Sequence, residues 1–415
     1  MTTKNFRLAV VVAMTGTFAV PATALATNGY FAHGYGTANK ALGGAGVALP
    51  QSAMQAATNP AGMAYVGERF DMSLDVFNAE RGYRAQSTTA NFSQEQASED
   101  NWFFVPALAY NYMLTPQDSI GMAMYGNGLG TRYERPVFGN FSRNKRTGVF
   151  FAQLQMAFNY AHKFSDGFSV GLAPIFVYQR IKIEGLEGFA PASTTISNNG
   201  ADNAYGGGFR LGTQFDVGGG LTLGASYQTR LYTSKFHKYA NTFADSGEFD
   251  VPPTFVVGLS WAITKSFTMV FDFQHIAYAD IDSIGNPEYR FLTKGLGGPD
   301  SAGFSWDDVK AYKIGFQYET PNWIWRLGYN RGDAPMEGGY DLTRSGVLFN
   351  IIAPGVTTDH LTAGFTRELA DNQELSFAYM HGFKNVVEGS NFLFPGITEL
   401  YMRQNSYELA YSKKW

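Results

Sequence analysis

The stretch Phe267-Thr268-Met269-Val270-Phe271-Asp272-Phe273-Gln274 decides the fold. Phe267, Met269, Phe271 and Phe273 fall on one face and Thr268, Val270, Asp272 and Gln274 on the other. A period of two residues belongs to an extended strand, here with an apolar, aromatic side. The same alternation recurs at 153–160, 312–319, 323–330 and 374–379. Soluble β-sandwiches alternate too, so the connections must arbitrate. Tight turns at 115–119, 165–167, 218–220, 263–266, 320–322 and 370–373 alternate strictly with long polar connections near 80–101, 127–147, 184–203, 232–250, 280–307, 331–356 and 384–402. Six short and seven long connections join 14 strands. Short turns on one rim, long loops on the other and an even strand count are the signature of a transmembrane β-barrel. Lipid enforces closure, because an open sheet edge would strand N–H and C=O groups in hydrocarbon. The last strand agrees: Tyr407, Leu409, Tyr411 and Trp415 share a face, and the chain ends on an aromatic suited to the interfacial girdle and to the barrel-assembly machinery. The fold class predicted is all-β, a 14-stranded antiparallel transmembrane barrel.

Composition fits such a barrel. The chain of 415 residues is 16% charged and 16% aromatic, with 35 Phe, 24 Tyr and 47 Gly. Typical soluble domains are about 25% charged. A mean hydropathy of -0.17 speaks against a bundle of membrane helices. The absence of cysteine removes disulfides, thiolate metal sites and a thiol nucleophile. A net charge of -4 gives no electrostatic reason to expect nucleic acid.

The N-terminus supplies the compartment. Lys4 and Arg7 precede an apolar run over 8–20, followed by Pro21 and the small-x-small site Ala24-Leu25-Ala26. That order is a secretory signal peptide over 1–26, too short to span a bilayer as a helix. Residues 27–66 then break the strand pattern: they are Gly/Ala-rich, and Lys40 is the single charge in 27–67. A long solvated arm would carry more charge, so a compact plug inside the lumen is predicted, with the barrel over 67–415.

Two features carry a family resemblance: the Gly-rich opening up to Gly43-Gly44-Ala45-Gly46, and Asn59-Pro60-Ala61 between plug and first strand. With the strand count and the terminal aromatic, the chain resembles the FadL family of outer-membrane transporters for long-chain fatty acids and other hydrophobic compounds. The resemblance implies that Asn59, Pro60 and Ala61 belong to a hatch closing the barrel towards the periplasm. It also implies a kinked third strand beside a gap in the wall. That strand runs over about 119–128 here, with Gly126, Asn127 and Gly128 as the candidate kink and lateral opening.

Enzymatic readings find no support. Gly126-Asn127-Gly128-Leu129-Gly130 lacks the following helix that a phosphate site needs. The six histidines (33, 162, 237, 275, 360, 381) form no ligand pair at helical spacing, and Ser266 and His275 are too far apart within one strand to make a hydrolase dyad. No cofactor and no metal are expected. By alternation Arg210, Arg230, Lys313 and Arg326 point into the lumen, as candidate partners of a carboxylate head group or as partners of lumenal Asp272, Glu319, Glu374 or Glu408. Apolar loop stretches at 347–354 and 392–395 suggest an outer capture groove.

The expectation is therefore a monomeric, passive, non-enzymatic transporter in the outer membrane of a Gram-negative bacterium. Its partners are a hydrophobic small molecule, outer-membrane lipid and lipopolysaccharide, and the barrel-assembly machinery. Long-chain fatty acids are the expected cargo, captured at the loops and released sideways through the wall. The alternatives are a general diffusion porin or structural barrel, or a family member that exports oxidised lipids or takes up aromatic hydrocarbons.

Overall fold

A computed structural model describes residues 28–87, 92–138, 146–394 and 396–415. The signal peptide and its cleavage site lie outside the described residues. The strands are β1 (Arg69–Ser87), β2 (Phe92–Ala97), β3 (Trp102–Met113), β4 (Asp118–Tyr133), β5 (Thr147–Ser165), β6 (Phe168–Glu184), β7 (Asp202–Gly218) and β8 (Leu221–Gln228), then β9 (Tyr232–Thr233), β10 (Thr254–Ala262), β11 (Phe267–Ile276), β12 (Val309–Thr320), β13 (Trp323–Gly332), β14 (Asp359–Leu369), β15 (Gln373–Gly389) and β16 (Ile397–Lys414). The short pieces β2 and β9 only extend β1 and β7. The other fourteen form an antiparallel wall, each paired with its neighbour in sequence. It closes where β1 meets β16, in register from Arg69↔Lys414 to Gln86↔Ile397. Closure leaves neither the first nor the last strand as a free edge, as lipid demands.

Side-chain alternation sorts the two faces. Phe271 and Trp325 stand exposed on the outside, with Phe273 and Phe377 half-buried beside them. Asp272, Gln274, Arg326 and Ser376, their neighbours in sequence, are buried on the inside. Aromatics cluster near the short-turn rim: Trp323 stacks on Trp325 at 5.2 Å, and Trp415 meets Tyr110 at 6.2 Å. All six tight turns fall where the sequence predicts them. One long connection does not. Residues 384–402 are mostly strand, because β15 and β16 continue as a hairpin to Gly389 and Ile397. Above the membrane neither face meets lipid, so the apolar alternation lapses while the ladder continues. The same reason carries β4 to Tyr133 rather than ending near 128.

The segment before β1 fills the lumen. It holds a short helix (Thr37–Ala41) and two 3-10 turns (Ala53–Ala57 and Pro60–Tyr65). It touches strands all round the ring. Lys40 pairs with Asp75 of β1 and, at 2.5 Å, with Glu408 of β16. The Gly46 and Val47 amides donate to Asp272 of β11, Gly43 N–H to Thr362 of β14, and Ala53 N–H to Asp71 of β1. A segment in contact with opposite sides of a closed ring lies inside it. Inward glycines make the room. A Cβ on Gly328 would stand 2.1 Å from Gly43 N, and one on Gly224 would stand 2.5 Å from Val47 O. Gly315 and Gly328 face each other across β12 and β13, as Gly224 and Gly258 do across β8 and β10.

Candidate functional site

Asn59, Pro60 and Ala61 are buried and seated against β6 and β7. The Asn59 carboxamide caps the second 3-10 turn: its Oδ1 accepts from Ala61 N–H at 3.1 Å, and Pro60 occupies the first position, where no N–H is needed. Asn59 Nδ2 donates to Val47 O (2.7 Å) within the plug and to Thr213 O (3.0 Å) on β7. Gly171 and Gly212, paired across β6 and β7, leave the space: a Cβ on Gly212 would lie 2.0 Å from Asn59 Oδ1. A single side chain thus ties the plug to itself and to the wall.

The third crossing strand, β4, parts from its neighbour. It pairs with β5 along its whole length, from Asp118↔His162 to Tyr133↔Thr147. Its ladder with β3 stops at Leu108↔Met124. Contact resumes only where Glu99 N–H donates to Arg132 O at 2.8 Å. Between these points, Trp102–Ala107 of β3 and Tyr125–Gly130 of β4 face each other without ladder bonds. There β4 bonds to the plug instead. Gly128 N–H donates to Tyr30 O (3.3 Å), and Asn127 Oδ1 accepts from Ala32 N–H (3.2 Å) and from the Tyr35 hydroxyl (2.6 Å). Pro106 sits in the part of β3 that pairs with β1 but not with β4, and can give no N–H to a ladder.

Two apolar cavities lie behind this gap. One is lined by Tyr30, Leu129, Val149, Phe151, Phe249, Trp306 and further apolar side chains, and has a volume of about 20 Å³. The other reaches Phe77, Ala79, Phe103 and Gly130 at the gap itself, and the buried Arg81, which donates to Ala79 O and Asp100 O, also lines it. Leu129, Trp306 and Ala353 line both, so the two are adjacent. Their walls are aromatic: Tyr30 meets Phe151 edge-on at 5.5 Å, Phe151 meets Phe249 at 5.1 Å, and Tyr278 meets Trp306 at 5.0 Å.

Residues 347–353 close the cavities from the loop side. Val347, Leu348 and Ile351 are wholly buried, so this stretch is a stopper over the lumen rather than an outer groove. An apolar loop facing water gains by folding inward. Its backbone is pinned to β4, with Thr131 Oγ1 donating to Ile352 O (2.5 Å) and Tyr133 Oη to Ile351 O (2.9 Å). Asn350 accepts from Trp306 Nε1 at 2.6 Å. At its start, Leu348 and Phe349 donate their N–H groups to the two Glu288 oxygens (3.1 and 2.9 Å). Burial pushes the Glu288 carboxyl up to about 8, against the opposing pull of these two amides. Above the stopper, Phe291 and Phe392 stack at 5.6 Å, both half-buried.

The four basic candidates lie elsewhere. Arg230 stands beyond the end of β8, where it bonds Asp250 (2.7 Å) and Glu248 in the loop, so it is not a lumenal residue. Arg210 donates to Ala56 O, Tyr125 Oη and Gln228 Oε1. Lys313 donates to His33 O and Gln274 Oε1. Arg326 bonds Gln51, Gln317 and Thr366, and lines a polar vestibule of about 250 Å³ with Arg69, Asp71, Glu319 and Glu374. None of the four lines the apolar cavities. The lumenal acids have other partners, Glu374 pairing with Arg69 and Lys414, and Glu408 with Lys40. Sequence reasoning missed Tyr30, Trp306 and Glu288. Beside the glycines of Gly126-Asn127-Gly128, Pro106 within an otherwise regular strand is a second local signal of the gap.

Residues 12–343 match the family described as outer membrane protein transport protein (OMPP1/FadL/TodX). Among solved structures, the chain is similar to the toluene transporter TodX of Pseudomonas putida (TM-score 0.68, 15% identity, covering 94% of this chain and 100% of that one). It is similar also to the toluene transporter TbuX of Ralstonia pickettii (0.64, 18%, 92% and 99%). A FadL homologue of Pseudomonas aeruginosa aligns as well (0.64, 13%, 95% and 100%). No curated protein matches in sequence. These findings correct the expectation of long-chain fatty acids. That cargo came from the family resemblance alone, and the similar solved proteins include toluene transporters and monoaromatic hydrocarbon channels.

Proposed function

The chain belongs to the outer membrane protein transport protein family (OMPP1/FadL/TodX), and from that premise we propose that it takes up small monoaromatic hydrocarbons across the outer membrane. The ring passes the stopper at 347–353, occupies the aromatic cavity at Tyr30, Phe151 and Trp306, and leaves sideways between β3 and β4 at Gly126, Asn127 and Gly128. One observation carries the reading: two adjacent apolar cavities lead to the stretch of wall where β4 has left β3. The similarity to toluene transporters supports the size class of the cargo. A lateral exit also suits the energetics. Re-exposing a seven-carbon aromatic to periplasmic water costs about 6 kcal/mol at ~0.8 kcal/mol per carbon, and release into the bilayer avoids it. The cavity of about 20 Å³ holds a water molecule or two. Entry of a ring therefore requires side chains to move, and the stopper is the segment placed to do so. Asn59, Pro60 and Ala61 hold the plug shut beneath this route. The basic residues Arg210, Lys313 and Arg326 serve plug and wall rather than a head group.

The test is uptake of labelled toluene by cells carrying this protein as their hydrophobic channel. Ala79→Phe, which fills the cavity at the gap, should slow uptake at least tenfold while the barrel keeps its heat-modifiable migration. Unchanged uptake would refute the lateral exit. Fast swelling of proteoliposomes in sugars would favour a diffusion porin instead.

A further inference from the structure

We infer that the outer wall docks lipopolysaccharide at the loop end of β6 and β7, where basic side chains meet the phosphates of its headgroup. The surface lies outside the barrel, away from the cargo route proposed above. On β6 the outward side chains change character with height. From the short-turn rim they run Leu172, Pro174, Phe176, Tyr178, Arg180 and Lys182, each alternating with a buried neighbour. The apolar and aromatic part, from Phe168 to Tyr178, is ten residue steps long. At ~3.4 Å per step and a strand tilt of about 40°, that is roughly 25 Å along the membrane normal, the height of the apolar band of such barrels. Tyr178 marks the interface. Tyr205 of β7 lies beside it at 5.2 Å, and Tyr232, on the β9 piece that extends β7, is 67% exposed. Aromatics of this kind settle at headgroup level, so Arg180 and Lys182 stand among the headgroups themselves.

The loop beside them adds two more cations. Arg180 and Asn203 are paired across β6 and β7, and Arg180 Nη1 donates to Asn203 Oδ1 at 3.3 Å. Two residues earlier in the chain, Ala201 O accepts from Lys238 Nζ at 2.8 Å. Lys235 bonds the backbone oxygen of Asp245, not its carboxylate. Arg180, Lys235 and Lys238 are exposed. Each therefore bonds a neutral oxygen and keeps donors to spare. Of the nearby carboxylates, Glu184 pairs with Lys182 at 2.9 Å, and Asp202 accepts from the Asn203 and Lys238 amides. Cations elsewhere at the loop end are matched by acids. Arg84 pairs with Glu95 and Glu399, Arg403 with Glu80, Arg132 with Asp100 and Glu134, and Arg331 with Asp359. The β6–β7 sector thus holds unpaired positive charge directly above the apolar band. That position selects an anion carried on a membrane anchor, and basic side chains at a bilayer surface attract anionic headgroups. In the outer leaflet, the phosphorylated lipid is lipopolysaccharide.

Native mass spectrometry of the full-length protein in detergent tests this with lipid A, the anchor of lipopolysaccharide, in its bisphosphorylated form and after dephosphorylation. The wild type should prefer the phosphorylated form by roughly tenfold or more. Arg180→Gln combined with Lys238→Gln should cut that preference below about threefold. Arg331→Gln, which removes a cation already paired with Asp359, should leave it unchanged. Equal binding of the two lipids by the wild type, or a preference that survives the double substitution, overturns the inference. So does displacement of lipid A by excess inorganic phosphate, which marks an anion site with no need of the lipid. Should the double variant fail to fold, Lys238→Gln alone must lower the preference by about threefold or more.

Discussion

Replacing Lys40 by methionine removes the one charge of the plug from between two carboxylates of the wall. Asp75 and Glu408 face each other across the β1·β16 seam, and Lys40 pairs with both. The three side chains are 8%, 2% and 3% exposed. With lysine in place the cluster carries one net negative charge; without it, two anions remain buried opposite one another. Removing one partner of a buried ion pair typically costs 3–5 kcal/mol, roughly, because the remaining charge is left uncompensated. Thr37 Oγ1 donates to Glu408 at 2.6 Å and Ser406 Oγ to Asp75 at 2.7 Å, and these bonds soften the loss. The value expected for Lys40→Met is therefore near the lower end, about 3 kcal/mol. Urea titration of the protein in lipid vesicles, followed by tryptophan fluorescence and heat-modifiable migration, measures it. The control is Lys40→Met with Asp75→Asn and Glu408→Gln, which removes all three charges. It should recover most of the loss, since a neutral, well-packed replacement of a buried ionic cluster is often close to neutral. A single variant within about 0.5 kcal/mol of wild type, or a triple variant less stable than the single one, would refute the view that Lys40 locks the plug across the seam.

Gly328→Val places a side chain 2.1 Å from Gly43 N and 2.2 Å from Leu42 C, backbone atoms that cannot swing aside, so the plug must shift. Single-channel conductance for small ions should rise; wild-type conductance would show that the plug does not seal the lumen. Glu288 supplies a pH dependence. Its carboxyl is pushed up to about 8 by burial, so between its unfolded value of about 4.3 and about 8 the folded loop holds the extra proton. Packing of the stopper is then strongest below the unfolded pKa and weakens as pH rises through about 8. Hydrogen exchange at Leu348 and Phe349 should accelerate from pH 6 to pH 9 beyond the intrinsic base catalysis, by about tenfold or more. Glu288→Gln should flatten that excess; an equal excess in both proteins would exclude Glu288 as its source.

The barrel was legible because lipid imposes a two-residue period that sequence displays directly, as at Phe267–Gln274. The alternation of tight turns and long connections then counts the strands. It fails where lipid stops: β15 and β16 run on into the 384–402 segment, where no face is forced to be apolar. The plug was legible from its lack of charge around Lys40, but the seats that receive it were not. Gly328 and Gly315 read as members of the small or polar face of their strands, and only the close approach of Leu42 and Gly43 gives the reason for glycine there. The basic candidates illustrate a different limit. Alternation places Arg210, Lys313 and Arg326 inside correctly, yet facing says nothing of depth, and at their depth they meet plug carbonyls and glutamines instead of the cavity. Tyr30 and Trp306 are far apart in the chain and come together, at 6.2 Å, only through tertiary packing.

The gap and the plug are one device. A strand edge open to hydrocarbon leaves N–H and C=O groups that cost several kcal/mol each, roughly, when unsatisfied. Above Met124, β4 has lost β3, and the plug takes up the Gly128 N–H with Tyr30 O and the Asn127 carboxamide with Ala32 N–H and the Tyr35 hydroxyl. Residues 28–35 therefore seal the lumen and also stabilise the bend that opens the wall. Deleting 27–57 removes these partners together with Lys40, so it orphans the Gly128 N–H and leaves Asp75 and Glu408 buried without a cation. Such a deletion should lower stability at the same time as it raises conductance, and in the truncated protein β4 gains most by re-pairing with β3 over the unused register beyond Leu108↔Met124. A barrel without its plug is then wider along its axis and closed at its side. Ion conductance and toluene uptake should move in opposite directions, and a truncated protein that gains both would show that the wall opening stands without the plug.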